Sequence, residues 1–243
     1  MFATVVLAAA LGAPQCWDIF DGALRRSALA DHPAFITYNE RIAVTADEQT
    51  VLYSMAHVDY RDDGTARVED ERFGFQPFIT RHAEPGPPEL GPYGRDRFSW
   101  VPADAVDGSY PIIARVRVQG NVICNLGGIE SYKGHQVYHL IFGNTQLDRP
   151  TVKEMWVDKG SQDIWKLTVS GYVYFVDMDA PPPLTDFQVE LAYAGPYLVV
   201  DHVVWAYRRH EFSQYTNYFG EYTLTGFNFP EALPAAYFGD SGR

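Results

Sequence analysis

Cysteine is scarce in this chain: Cys16 and Cys124 are the only two among 243 residues. No framework of disulfides can hold the fold together, and at most one bridge can form, in an oxidising compartment. The alternative is two unpaired buried thiols. Basic residues are also few, 19 Lys and Arg against 31 Asp and Glu, for a net charge of −12. Phosphate backbones need clustered Lys and Arg, so a nucleic-acid partner is excluded. No apolar run is long enough to span a bilayer. Also missing are a G-x-S-x-G elbow, a Walker A loop, an H-E-x-x-H helix and a dinucleotide fingerprint. Gly239-Asp240-Ser241-Gly242 spells the nucleophile loop of trypsin-like proteases, but with one residue after it the strands such an enzyme needs next are not there.

Apolar residues make up 47% of the chain and aromatics 15%, with 16 Tyr and 15 Phe. A single domain of this size buries roughly 70–75% of its unfolded surface, enough to fold without metal or staples. The aromatics suit strands and equally suit the lining of an apolar cavity. The acidic residues are scattered, as solubility requires.

The segment Val5-Val6-Leu7-Ala8-Ala9-Ala10-Leu11-Gly12-Ala13 is a short apolar run closing on small residues. It resembles the h-region and cleavage site of a secretory signal, which sets residues 1–13 apart from a single domain over 14–243 and implies a periplasmic or secreted protein. The other reading is an N-terminal helix with its apolar face in the core. Pro14-Gln15 do not supply the small residues that a lipid-modified Cys16 would need before it.

From Cys16 to Ala30 apolar residues recur at Trp17, Ile19-Phe20, Ala23-Leu24 and Ala28-Leu29, with Asp18 and Asp21 early and Arg25-Arg26 late. That spacing and charge order predict a helix, ended by His32-Pro33. Strands are predicted at 34–45, 50–60, 65–72, 111–118 and 121–126. Between them, residues 80–111 hold six of the sixteen prolines and lack clear periodicity, as a lid or insertion would. From Ser131 to Tyr174, short Val, Ile, Leu, Tyr and Trp runs alternate with turn signals at Gly134, Gly143-Asn144, Asp158-Lys159-Gly160 and Ser170-Gly171. This is an antiparallel meander. Strands at Phe187–Tyr193, Tyr197–Tyr207 and Glu221–Phe229 complete a mainly β chain of about eleven strands with a few helices.

Seven histidines invite a metal or catalytic reading. His135 and His139 have the spacing of a helical zinc pair, yet GHQVYHLIF is strand-like, and four residues of strand span about 13 Å. No metal or cofactor is expected. His57 and Asp59 share a strand face, whereas alternation turns Asp201 and His202 apart. A secreted hydrolase using His57 with Asp59, or His202, is the weakest alternative, since no nucleophile accompanies them. Asp158-Lys159-Gly160 is explained by a hairpin turn alone.

The order Gly134-x-x-Val137-Tyr138-x-Leu140, Val152-x-x-Met155-Trp156-Val157-Asp158, Ile164-Trp165-Lys166-Leu167 resembles the central hairpins of the outer-membrane lipoprotein-sorting superfamily, LolA/LolB-like with related sigma-regulatory periplasmic proteins. So do Phe187-x-Val189-x-Leu191 with Tyr197-Leu198-Val199, and Tyr222-x-Leu224 with Phe227-Asn228. The resemblance covers 125–230 and, loosely, 17–60. It implies a strongly curved antiparallel sheet forming an unclosed half-barrel, covered by an N-terminal helix and a lid, with an apolar trough for a lipid, a lipoprotein acyl chain or another amphiphile. Such a protein is not an enzyme. An envelope module docking a protein partner is the second reading. Hiding a sixteen-carbon chain from water is worth about 12 kcal/mol at ~0.8 per methylene, so the trough must be deep. The strand residues expected to line it are Tyr138, Leu140, Trp156, Trp165, Leu167, Tyr172, Tyr174, Val189, Leu191 and Tyr193, without distinction of face.

Overall fold

The structure, a computed structural model, describes residues 15–29, 33–61, 66–72, 123–143, 151–172, 184–211 and 214–238. The predicted leader over 1–13, the strand at 111–118, the proline-rich segment at 80–111 and Tyr174 lie outside the described residues.

One helix, α1 (Cys16–Leu29), precedes ten strands. They are β1 (Phe35–Ala46), β2 (Gln49–Arg61), β3 (Ala66–Arg72), β4 (Ile123–Tyr132), β5 (His135–Gly143), β6 (Thr151–Asp158), β7 (Ile164–Tyr172), β8 (Leu184–Ala194), β9 (Tyr197–Glu211) and β10 (Gln214–Asn228). All ten form one sheet in the order β3-β2-β1-β10-β9-β8-β7-β6-β5-β4, antiparallel throughout. Among the described residues the sheet is open, with β3 and β4 as its edges: an unclosed half-barrel with an N-terminal helix. The predicted helix matches α1, while β10 starts seven residues before the predicted Glu221.

Local chemistry sets these elements. Gln15 caps α1: its carbonyl accepts from the amides of Asp18 and Ile19, and Asp18 Oδ2 accepts from the Gln15 amide at 3.3 Å. The β4–β5 hairpin turns on Lys133 and Gly134, at φ 48° and 87°, the pair of positive angles that a two-residue turn matched to strand twist requires. At the β6–β7 turn, Asp158 Oδ1 accepts from the amides of Gly160 and Ser161, and its Oδ2 from Trp165 Nε1. Three donors on one carboxylate make this turn structural, as the sequence suggests.

The face of the sheet toward α1, here the inner face, carries the main core. Ile19, Phe20, Ala23 and Leu24 of α1 are buried among Leu140, Phe142, Met155, Leu167, Val189, Val203 and Leu224. Phe20 sits edge-on to both Trp17 and Phe142, at 5.6 and 5.3 Å between ring centres. A disulfide joins Cys16, at the first turn of α1, to Cys124 near the start of β4. At the other end, Arg26 Nε donates to Asp163 of the β6–β7 turn at 3.1 Å, and Tyr193 donates to the same carboxylate at 2.7 Å. The helix therefore lies along β4–β6, fastened at both ends.

Candidate functional site

Antiparallel partners point their side chains to the same face, so register defines the inner surface. One row runs Leu126, Leu140, Met155, Leu167, Val189, Val203, Tyr222, Ile42 across β4 to β10 and on to β1. All but Leu126 are buried. A neighbouring row runs Val169, Phe187, Trp205, Gly220, Val44. The helix packs chiefly on β4–β6, and the apolar inner face continues over β7–β10, β1 and β2, where Ile36, Tyr38, Val58 and Tyr60 are buried too.

The row surfaces at the β4 edge. Leu126 pairs with Leu140 and Ile129 with Tyr138, so both stand on the inner face, yet they are 39% and 52% exposed. A bulge at Gly127 keeps Leu126 and Ile129 on one side although three positions separate them. The result is an apolar lip that passes without interruption from solvent to the buried Leu140.

Polar groups on this face are few. The hydroxyl of Tyr222 donates to the buried carboxylate of Glu40, on adjacent strands β10 and β1. Trp205 Nε1 is buried and has no hydrogen-bond partner.

Of the residues named from sequence, Leu140, Leu167, Val189 and Leu191 are buried on the inner face, and Tyr138 is half-buried against the same core. Trp156 and Trp165 pack with Val137 in a second cluster, apart from the helix-covered one. Tyr193, 44% exposed, lies edge-on to Trp165. Tyr172 ends β7 opposite Leu184, and its side chain is outside the described residues. The inner residues of β1, β2, β9 and β10 and the lip pair Leu126 and Ile129 are not among those named. The alternation Ile36-x-Tyr38 and Ile42-x-Val44 was a signal for β1; nothing in the sequence marked the lip.

No family model matches the chain, and no curated protein matches it in sequence. Three solved structures are similar in shape. A LolA superfamily protein from Nitrosomonas europaea is 12% identical with a TM-score of 0.43, covering 93% of this chain and 98% of its own. A DUF1329 family protein from Desulfovibrio piger is 12% identical with a TM-score of 0.49 and the same coverage. A domain described as an outer membrane lipoprotein-sorting protein, from Vibrio parahaemolyticus, is 13% identical with a TM-score of 0.43, covering 93% of this chain and 97% of its own. The likeness is remote.

The opposite, outer face carries charge. His57 Nε2 lies 3.4 Å from Asp59 and its Nδ1 2.9 Å from Asn39 Oδ1, while Arg67 also reaches Asp59. His202 Nε2 lies 3.0 Å from Glu221, which pairs as well with Arg41 at 3.1 Å. His57 on β2 and His202 on β9 are three strand spacings apart, about 14 Å. They do not converge on one pocket. His135 and His139 each face their own carboxylate, Asp158 and Glu130. Among the described residues no group of three or more His, Cys, Asp or Glu is placed to hold a metal ion.

Asp201 departs from strict alternation. Glu190 pairs with His202 and Leu191 with Val200, so Asp201 is the extra residue of a bulge. It lies on the side of Lys133, at the tip of the β4–β5 hairpin, which bonds Glu190 at 3.0 Å and reaches Asp201 at 3.8 Å. The tip of the hairpin thus reaches over β6 and β7 on the outer face to strands that are not its neighbours in the sheet. Burial pushes the Asp201 carboxyl above its ordinary value, with Glu190 adding to the effect and Lys133 opposing it. For Glu190 burial acts upward as well, but the bond and charge of Lys133 outweigh it and hold that carboxyl low. A carboxyl raised on folding leaves its full stability below the unfolded value and loses it as pH rises through the folded one. Asp201→Asn is therefore expected to raise the urea midpoint at pH 7 and to have no effect near pH 3, in denaturation series run at both values.

Proposed function

We propose that this protein binds an amphiphile, a lipid or a lipoprotein acyl chain, along the inner face of its half-barrel, as a non-enzymatic carrier outside the cytoplasm. One observation carries the reading: the apolar row that begins at the exposed Leu126 and continues through seven further strands. A buried core has no need of an apolar ramp to solvent, whereas a chain entering lengthwise does. Soluble proteins expose isolated apolar residues freely, but an edge-to-interior continuity of this kind is typical of ligand grooves. The Cys16–Cys124 disulfide fits an oxidising compartment such as the periplasm or the exterior. Among the described residues no helix is long and apolar enough to cross a membrane.

Delipidated protein is expected to take up a fluorescent fatty acid, and the purified protein to carry lipid detectable by mass spectrometry. Leu126→Asp and Ile129→Asp each place a charge on the lip and should weaken uptake about tenfold, since desolvating an apolar side chain of this size is worth roughly 1.5–3 kcal/mol. Ile123→Asp and Ile141→Asp are the controls. They are 62% and 37% exposed on the same two strands, but on the outer face, and should leave uptake unchanged. Equal binding by lip and control variants would end the proposal.

A protein partner is the second reading, favoured by the outer edge of β4, which no strand pairs among the described residues and where an extended segment can add as a further strand. Under it, the control variants would lose the partner and no lipid would be recovered.

A further inference from the structure

An indole N–H can only donate, and a buried one is normally paired. Trp156 Nε1 donates to Glu130 at 3.0 Å and Trp165 Nε1 to Asp158 at 3.4 Å. Trp205 is 8% exposed, against 8% and 6% for those two, yet its Nε1 has no acceptor among the described residues. The position of the ring is set by its neighbours. It lies flat over Gly220, where a Cβ would come within 2.1 Å of the indole, and the ring of Phe187 packs at 5.7 Å. Both lie in its row on the inner face.

Two residues along β10 from Gly220, about 7 Å, the Tyr222 hydroxyl donates to Glu40. Trp205, Tyr222 and Glu40 thus bring polar groups of β9, β10 and β1 together in one part of a largely apolar surface. Ligand sites of this kind take their affinity from burial and their orientation from a few such groups.

We propose that the Trp205 indole N–H donates to an acyl oxygen of the bound amphiphile, a carboxylate or an ester carbonyl. The assignment rests on the trough reading above and adds a preference to it: an oxygen-bearing chain is recognised over a bare hydrocarbon of equal length. The oxygen end of the chain then lies at β9–β10 on the inner face, beside Trp205.

The test is competition of decanoate, methyl decanoate and decane against diphenylhexatriene, a fluorescent probe without hydrogen-bonding groups, on wild type and Trp205→Phe. Removing the donor should weaken an oxygen-bearing ligand about tenfold and leave decane unchanged. A loss shared by both oxygenated ligands identifies the carbonyl oxygen, and a loss for decanoate alone identifies the carboxylate; either supports the assignment. Equal effects on all three ligands, or none on any, overturn it. A measurement on the wild type removes dependence on the folding of the variant. The indole ¹⁵N–¹H resonance of Trp205 should move downfield with decanoate and not with decane, while the already bonded indoles of Trp156 and Trp165 stay in place. A stationary Trp205 signal with ligand bound overturns the assignment alone. Failure of the wild type to bind any of the three sinks the trough reading and this assignment with it.

Discussion

Replacing Cys16 and Cys124 by serine should lower stability by roughly 4–5 kcal/mol, the largest effect of any change considered for this chain. The bridge closes a loop of 108 residues, and the entropy that a cross-link removes from the unfolded chain rises with the logarithm of loop length. It also holds the first turn of α1 against β4, which among the described residues is an edge strand paired with β5. Losing it frees the helix end that carries Trp17 and Phe20. Urea denaturation of the wild type with and without reductant should reproduce the loss seen in the double serine variant, and reductant should leave that variant unchanged. A wild-type midpoint that does not move on reduction would show that α1 is held by packing alone.

Phe20→Ala comes next, at about 3–5 kcal/mol. Phe20 is fully buried, edge-on to Trp17 and Phe142, and belongs to the stripe Ile19, Phe20, Ala23, Leu24 that seats α1 on the sheet. Truncation leaves a cavity between a helix and a sheet that are both fastened, so the gap cannot close by collapse. The control is Arg25→Ala, exposed on the other side of α1, which should cost under 1 kcal/mol. Chemical denaturation of the two variants decides it. If Phe20→Ala costs no more than Arg25→Ala, the helix is not seated as described.

The two changes bear on function in different ways. The disulfide sits beside the lip, since Cys124 precedes Leu126 by two residues on β4. Loss of the bridge is therefore expected to alter amphiphile uptake as well as stability, whereas Phe20→Ala acts at the seat of α1, through Trp17 and Phe142. Lys133, at the opposite end of β4, ties the hairpin to Glu190 and Asp201. The edge that carries the proposed entrance is held at both ends by contacts that cross the sheet.

Much of the architecture was legible in the chain. The helix at 16–29, the hairpin turns at Gly134 and Asp158, and the meander after Ser131 are local matters, set by apolar spacing, turn residues and charge order, which act over a few residues. The resemblance to lipoprotein-sorting proteins pointed to an open, curved sheet, and the sheet is open and curved. The expected count of about eleven strands compares with ten described, the strand expected at 111–118 lying outside them. The site was much less legible. Alternation sorts the side chains of a strand into two sets but does not say which set faces the helix. The sequence-derived list accordingly joined Leu140 and Leu167 with Trp156 and Trp165, which the structure places in separate clusters.

By itself, then, the sequence determined what is periodic: one amphipathic helix and a run of antiparallel strands. Only the tertiary structure decided which face is inner, that the two cysteines meet, that bulges at Gly127 and Asp201 reset the alternation, and that Trp205 lies unpaired over Gly220. The physical reason is range. Strand and turn propensities act between neighbours in the chain, whereas face, pairing and burial depend on register between strands far apart in it.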